Sequence, residues 1–307
     1  MNKTAPALLG SSAAWLSALG METLVIIALN VLTLIVLIKT HSLRRRTTYF
    51  LINLSITDLL VGLVPLPMYL LFISNPSVFV KNSYLLSAYQ ALDMIFGACS
   101  IWTLAVISLE RLYMVKAPRR HRRATLRHYL VAIAISWIIP VVIYLQGFLT
   151  STGIITRSLY LYITVVTLLF IPTAILVLSH FALWITFKHR NLSTRHAKRE
   201  RELSKTLFMV TSAFLVTCLP FQALVFYLAL DPMVKPSLNL VLALKFLQYG
   251  NSFMNPLIYW PRLPGFKGAV RKMFGLKTSS RYCKSDTVKS VRSSRLITEA
   301  PPSQLHS

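Results

Sequence analysis

Seven apolar stretches, each long enough to cross the roughly 30 Å of a bilayer's hydrocarbon, constrain this chain before any single residue is weighed. They lie at about 17–39, 48–73, 84–114, 128–147, 158–187, 204–230 and 237–260. Hydrophobic residues make up 55% of the 307 and charged residues only 14%, against about 25% charged in an ordinary soluble domain. Almost nothing is left over for a soluble domain. The expected fold is an all-α membrane protein: a seven-transmembrane helix bundle over 17–260, preceded by an extracellular N-terminus at 1–16. An amphipathic helix on the inner membrane surface at 261–276 and a disordered cytoplasmic tail at 277–307 are expected to follow.

A formal net charge of +24 could point to nucleic acid, but the bases cluster in alternate loops. Lys39 and Arg44 to Arg46 follow the first span; Lys116, Arg119, Arg120, Arg122, Arg123 and Arg127 lie between the third and fourth. Lys188, Arg190, Arg195, Lys198, Arg199, Arg201 and Lys205 separate the fifth from the sixth, and the tail is basic throughout. The opposite loops hold only Lys3, Lys81, Arg157 and Lys235. The positive-inside rule therefore places the N-terminus outside and the C-terminus in the cytoplasm, as an odd number of spans requires. No nucleic-acid partner is expected. Met1 to Thr4 carries no basic n-region or cleavage signal, so the first span reads as its own insertion signal. Of three cysteines, Cys99 and Cys218 fall within spans and Cys283 in the tail, which leaves none for an extracellular disulfide. Asn2-Lys3-Thr4 is a glycosylation sequon, though very near the terminus.

Polar residues inside apolar runs carry the functional signal, because a charge at the bilayer centre is costly and needs a partner or a task. Glu22 and Asn30 sit in the first span, Asp58 in the second. The third, which organises the rest, carries Asp93 and ends on Glu110-Arg111. Asn30 has the place of an interhelical hydrogen-bonding group. Asp58 reads either as a structural acid or as an ion or proton site. Pro172 and Pro220 free carbonyls within their helices and create kinks about which a helix can swing. No metalloprotease helix, nucleophile elbow or phosphate loop is present, so no catalytic residue is assigned and no enzyme is expected. A seven-helix transporter is the alternative class, although no inverted repeat or pair of broken segments supports it.

Asn30, the run Asn53-Leu54-Ser55-Ile56-Thr57-Asp58, Glu110-Arg111-Leu112, Trp137, Pro172, Phe214, Pro220 and Asn255-Pro256-Leu257-Ile258-Tyr259 together resemble the rhodopsin-like family of G-protein-coupled receptors. The resemblance runs from about residue 17 to 275, in register through all seven spans. It implies a plasma-membrane receptor that passes the binding of a small extracellular ligand to a heterotrimeric G protein. It also implies a set of activation switches: Glu110 and Arg111, with Glu200 as the second half of an ionic latch or as one charge of a solvated face; the packed trio Ile101, Pro172 and Phe214; and Pro220, Pro256 and Tyr259. Asp58, Ser100, Asn251 and Asn255 match positions that surround a sodium ion, and a hard cation suits their carboxylate, hydroxyl and amide oxygens.

In the amine-binding branch, an Asp at the position of Asp93 holds the ligand's ammonium, helped by a Tyr at the position of Tyr249. A protonated amine is thus one ligand class implied here; a peptide or a lipid is the other. Lys245, one turn before Tyr249, opens a different outcome, since pairing with Asp93 would fill the amine site from within. A retinal-binding lysine would stand where this chain has Tyr249. Met94, Gly97, Thr164, Leu168, Cys218, Phe221 and Gln222 complete the expected pocket. Several positions depart from the family pattern. Leu86 stands where the usual disulfide cysteine would be, and the loop at about 147–157 has no cysteine either. Cys218 replaces the usual tryptophan, His180 the tyrosine of the fifth span, and Leu112 the tyrosine of the third.

After Tyr259, Phe266, Val270, Met273 and Phe274 alternate with Lys267, Arg271 and Lys272 in a pattern suited to an anionic inner leaflet. Cys283 is either palmitoylated or a plain thiol. The Ser- and Thr-rich tail reads as phosphorylatable, with kinases and arrestin as its expected partners.

Overall fold

The computed structural model describes residues 4–40, 48–189, 195–231, 233–262, 266–273 and 275. Asn2 and Cys283 lie outside the described residues, as do the side chains of Glu200 and Tyr259. The first span is α1 (Thr4–Lys39) and the second is α2 (Thr48–Leu63) continued by α3 (Pro65–Ser74). A short turn of helix, α4 (Pro76–Lys81), leads into the third span, α5 (Ser83–Lys116). The basic α6 (Pro118–Arg123) precedes the fourth span, α7 (Leu126–Gln146), and α8 (Phe148–Ser151) follows it. The fifth span is broken into α9 (Arg157–Val165), a π turn at Val166–Phe170, and α10 (Ile171–His189). Then come α11 (Arg195–Leu230), α12 (Leu238–Arg262) and α13 (Phe266–Met273).

Six spans among the described residues are long and apolar enough to cross a membrane. The seventh, α12, is less apolar because its inward face is polar: Lys245, Asn251, Ser252 and Asn255 are all buried. Its outward face is not, with Leu238 and Leu247 exposed. The same inversion holds across the molecule. Leu178 and Val216 are 65% and 68% exposed while Asp58 and Asn30 are fully buried, as lipid outside and polar pairing inside require.

Three local features differ from the sequence expectation. The first helix begins at Thr4, well inside the stretch expected as N-terminus, although its apolar length starts at Ala13. The fifth span is not one regular helix: Ile171 N–H donates to the carbonyl of Val166, five residues back, immediately before Pro172. An extra residue in one turn accommodates the ring that a regular helix would crowd. Third, beside the loop without a disulfide, which packing alone was expected to hold, Tyr144 Oη of α7 donates to the Ser87 carbonyl of α5 at 3.3 Å.

Small and polar residues set the helix contacts. Asn53 joins three spans, donating to Thr103 Oγ1 at 2.8 Å and accepting from Trp137 Nε1 at 2.9 Å. Asn30 Nδ2 donates to the Ser252 carbonyl of α12 at 3.0 Å, the interhelical role expected of it. At Gly62 a Cβ would lie 2.8 Å from Ile26 Cγ2 and 3.2 Å from Ile27 Cγ1. Gly62→Ala is therefore expected to lose about 1–3 kcal/mol by overpacking, read as a lower melting temperature of the detergent-solubilised protein. An unchanged melting temperature would mean that α1 and α2 are not held this close.

Candidate functional site

Asp93 sits on α5 five helical turns from Arg111, and both of its carboxylate oxygens are engaged. Lys245 Nζ donates to Oδ2 at 2.6 Å, and Tyr249 Oη donates to Oδ1 at 2.8 Å. Tyr89, one turn before Asp93, brings its hydroxyl to 3.4 Å from that of Tyr249. The Lys245 ammonium is ringed by aromatic faces, with centroids at 4.5 Å for Phe221, 4.8 Å for Tyr249, 5.5 Å for Tyr69 and 6.0 Å for Tyr89. Its residue is only 4% exposed. Such a cage is what recognises an ammonium ion. Here it encloses the chain's own.

Beside this pair lies a cavity of about 260 Å³. Asp93, Met94, Gly97, Thr164, Phe221, Gln222 and Tyr249 line it, and so do Leu168 and Cys218. Lys245, alone among the expected ligand residues, does not. The cavity wall also includes Ser100, Ile101 and Asn251, so it reaches from Asp93 toward Asp58. Gln248, another lining residue, has a buried side-chain oxygen with no hydrogen-bond partner.

The second polar centre is Asp58, fully buried. Ser100 Oγ donates to its Oδ1 at 3.1 Å and Asn255 Nδ2 to its Oδ2 at 2.8 Å. Asn251, the fourth residue of the expected ion site, is buried with its Oδ1 unpartnered. Carboxylate, hydroxyl and amide oxygens are the donor types that a hard cation takes. The four residues come from α2, α5 and α12.

At the other end of α5, Arg111 Nε lies 3.5 Å from Glu110 Oε2, and His121 Nε2 lies 2.7 Å from Glu110 Oε1. Tyr129 Oη is 3.2 Å from the same imidazole nitrogen. His121 had no signal in the sequence, because only the fold of α6 returns it to Glu110. The expected contact of Arg111 with Glu200 lies outside the described residues. Ile101, Pro172, Phe214 and Pro256 are buried, and Pro220 lies within α11 as expected. Cys218 Sγ faces the Gln248 carbonyl at 4.0 Å. Tyr69 and Tyr89 were missed; Tyr89 was findable, being four residues before Asp93 and so on its helix face. Glu22 is 4% exposed and neither carboxylate oxygen has a hydrogen-bond partner.

A bundle of apolar-faced helices around a polar axis, with a cavity at one end and an acid–arginine–histidine cluster at the other, describes a multi-pass helical membrane protein. The match to the 7 transmembrane receptor (rhodopsin family) model over residues 29–259 places the chain in that family, a family of signalling receptors and not of enzymes. Curated relatives include the ultraviolet-sensitive opsin of Melopsittacus undulatus, 22% identical over 269 residues (80% of this chain and 77% of the relative). The 5-hydroxytryptamine receptor 2C of Rattus norvegicus is 30% identical over 188 residues (57% and 41%). Dopamine receptor 4 of Caenorhabditis elegans is 27% identical over 198 residues (60% and 37%). The chain thus spans less than half the length of these two amine-receptor relatives.

Proposed function

We propose that the chain is a plasma-membrane receptor, N-terminus outside, that couples a small extracellular ligand of zero net charge to a heterotrimeric G protein. The observation that carries the ligand class is the 2.6 Å contact between Lys245 and Asp93. The relatives named for 5-hydroxytryptamine and dopamine suggest a simple protonated amine. Such a ligand at Asp93 would leave the Lys245 ammonium buried without a counter-ion, and stranding one member of a buried pair costs about 3–5 kcal/mol. A simple anion at Lys245 would strand Asp93 in the same way. An uncharged ligand disturbs neither group, and a zwitterion replaces each partner with its own opposite charge. The largely apolar cavity wall and the unpaired oxygen of Gln248 suit either.

Binding in the cavity would shift a two-state bundle, with α11 swinging about Pro220 and Arg111 leaving Glu110 to open a basic cleft for the G protein. The Asp58, Ser100, Asn251 and Asn255 oxygens would hold sodium, which supplies a fixed positive charge to the bundle axis. Kinases and arrestin would act on the tail, and anionic inner-leaflet lipid on α13.

The test is G-protein activation in cells expressing the wild type, challenged with simple amines, zwitterionic amino acids and uncharged compounds. The expected result is a response to one of the last two classes and none to simple amines. A wild-type response to a simple amine that disappears in Asp93→Asn would overturn the ligand class.

A further inference from the structure

A second cavity, of about 420 Å³, lies at the far end of α5 from Asp93, among α6, the last turns of α5 and the first turns of α2 and α7. Aromatic rings form much of its wall. Phe50 and Tyr129 are buried with their rings 5.2 Å apart, and Tyr113 meets the ring of His121 edge-on at 5.9 Å. Arg120 and Arg123 also line it, three residues apart on α6, whereas Arg119 and Arg122 of the same helix do not. Side chains so spaced are neighbours on one helix face. Both lining arginines are exposed, and neither makes a hydrogen bond or an ion pair within the chain. The sequence offers them no acid: none occurs between Glu22 and Asp58 or between Glu110 and Glu200. Glu110, the one carboxylate in the wall, already faces His121 Nε2 at 2.7 Å and Arg111 Nε at 3.5 Å. His128 adds a further donor to the lining. The Thr125 N–H donates to its Nδ1 at 3.2 Å, so the ring proton sits on Nε2, which makes no hydrogen bond.

We infer that this cavity is a binding site for a ligand bearing phosphomonoester groups, held by Arg120, Arg123 and His128 with its carbon frame against Phe50 and Tyr113. The charge argues for phosphate: two adjacent guanidinium forks and an imidazole N–H match a doubly charged anion with three acceptor oxygens, where a carboxylate brings one charge and two. The enclosure argues for one small ligand. A volume of this size is that of a small-molecule site, which the general attraction of a basic loop for an acidic surface does not require. His121 links the site to the switch at the end of α5, because it both lines the cavity and holds Glu110, the carboxylate beside Arg111. The same phosphate chemistry is carried by a lipid headgroup and by a soluble phosphate, and the two arms of the experiment separate them. Neither the site nor its test depends on the extracellular ligand or the orientation proposed above.

The experiment uses the full chain in phosphatidylcholine nanodiscs, where both faces are open to solution. One arm measures equilibrium binding of radiolabelled inositol trisphosphate; the other adds a minor fraction of phosphatidylinositol bisphosphate to the discs and counts the molecules retained per chain by native mass spectrometry. Wild type is compared with Arg120→Gln/Arg123→Gln and with Arg119→Gln/Arg122→Gln, which removes the same charge from the same helix but outside the cavity. All four arginines are exposed, so neither variant disturbs the bundle. The expected result is saturable binding of one molecule per chain in at least one arm, weakened at least about tenfold in Arg120→Gln/Arg123→Gln, which loses its charge-assisted hydrogen bonds. In Arg119→Gln/Arg122→Gln it should change by less than about twofold, as for screened charges at a distance. Binding of the free trisphosphate identifies a soluble source, and retention of the lipid alone identifies a headgroup. Absence of saturable binding in both arms would overturn the inference. So would equal weakening in the two variants, which would reflect diffuse charge, or binding that survives loss of Arg120 and Arg123.

Discussion

Lys245→Met is expected to destabilise the protein by about 3 kcal/mol, because it leaves the part-buried Asp93 carboxylate without its ammonium partner. Asp93→Asn should lower stability comparably, since it strands the Lys245 ammonium inside its aromatic cage. The double variant should recover most of the loss: removing both charges leaves no ion to solvate, and exchanging a buried pair for neutral groups is often neutral in stability. Thermal melting of the four detergent-solubilised proteins completes the cycle. Additive losses in the double variant would mean that the two groups do not pair in the folded state.

Sodium should stabilise the wild type and not Asp58→Asn. A ligand that binds only the folded form contributes about 2.7 kcal/mol at a hundred times its dissociation constant. Asp58 supplies the only carboxylate of the four-residue set, and its oxygens accept from Ser100 and Asn255. The measurement is the melting temperature in sodium chloride against choline chloride at equal ionic strength. A rise in the wild type that vanishes in Asp58→Asn supports the ion site. An equal rise in both, or none in either, excludes it.

The seven spans were legible because each apolar run is longer than the roughly 10–14 residues of a typical helix in a soluble protein. Asp58 and Asn255 were legible as a pair only through the family pattern, since 197 residues separate them. The sequence could name Lys245 as a competitor for Asp93 but not decide the matter, because that depends on how far α12 sits from α5 and on the lysine's rotamer. Tyr69 was hidden for a related reason: it reaches the cage from α3, whose entry angle is set by the break before Pro65. The π turn before Pro172 has no compositional mark beyond the proline itself, which signals a kink and not its form. Neither has the return of His121 to Glu110, which requires α6 to fold back on the end of α5.

The central claim is that the ammonium site at Asp93 is filled from within. It is tested most directly by the affinity of one small protonated amine for the wild type, Lys245→Ala and Lys245→Ala/Asp93→Asn, measured side by side in membranes. The account predicts weak binding to the wild type, binding at least about tenfold tighter to Lys245→Ala, where a freed carboxylate and an emptied cage are worth about 1.4 kcal/mol or more, and loss of that gain in the double variant. Wild-type binding as tight as that of Lys245→Ala would contradict it.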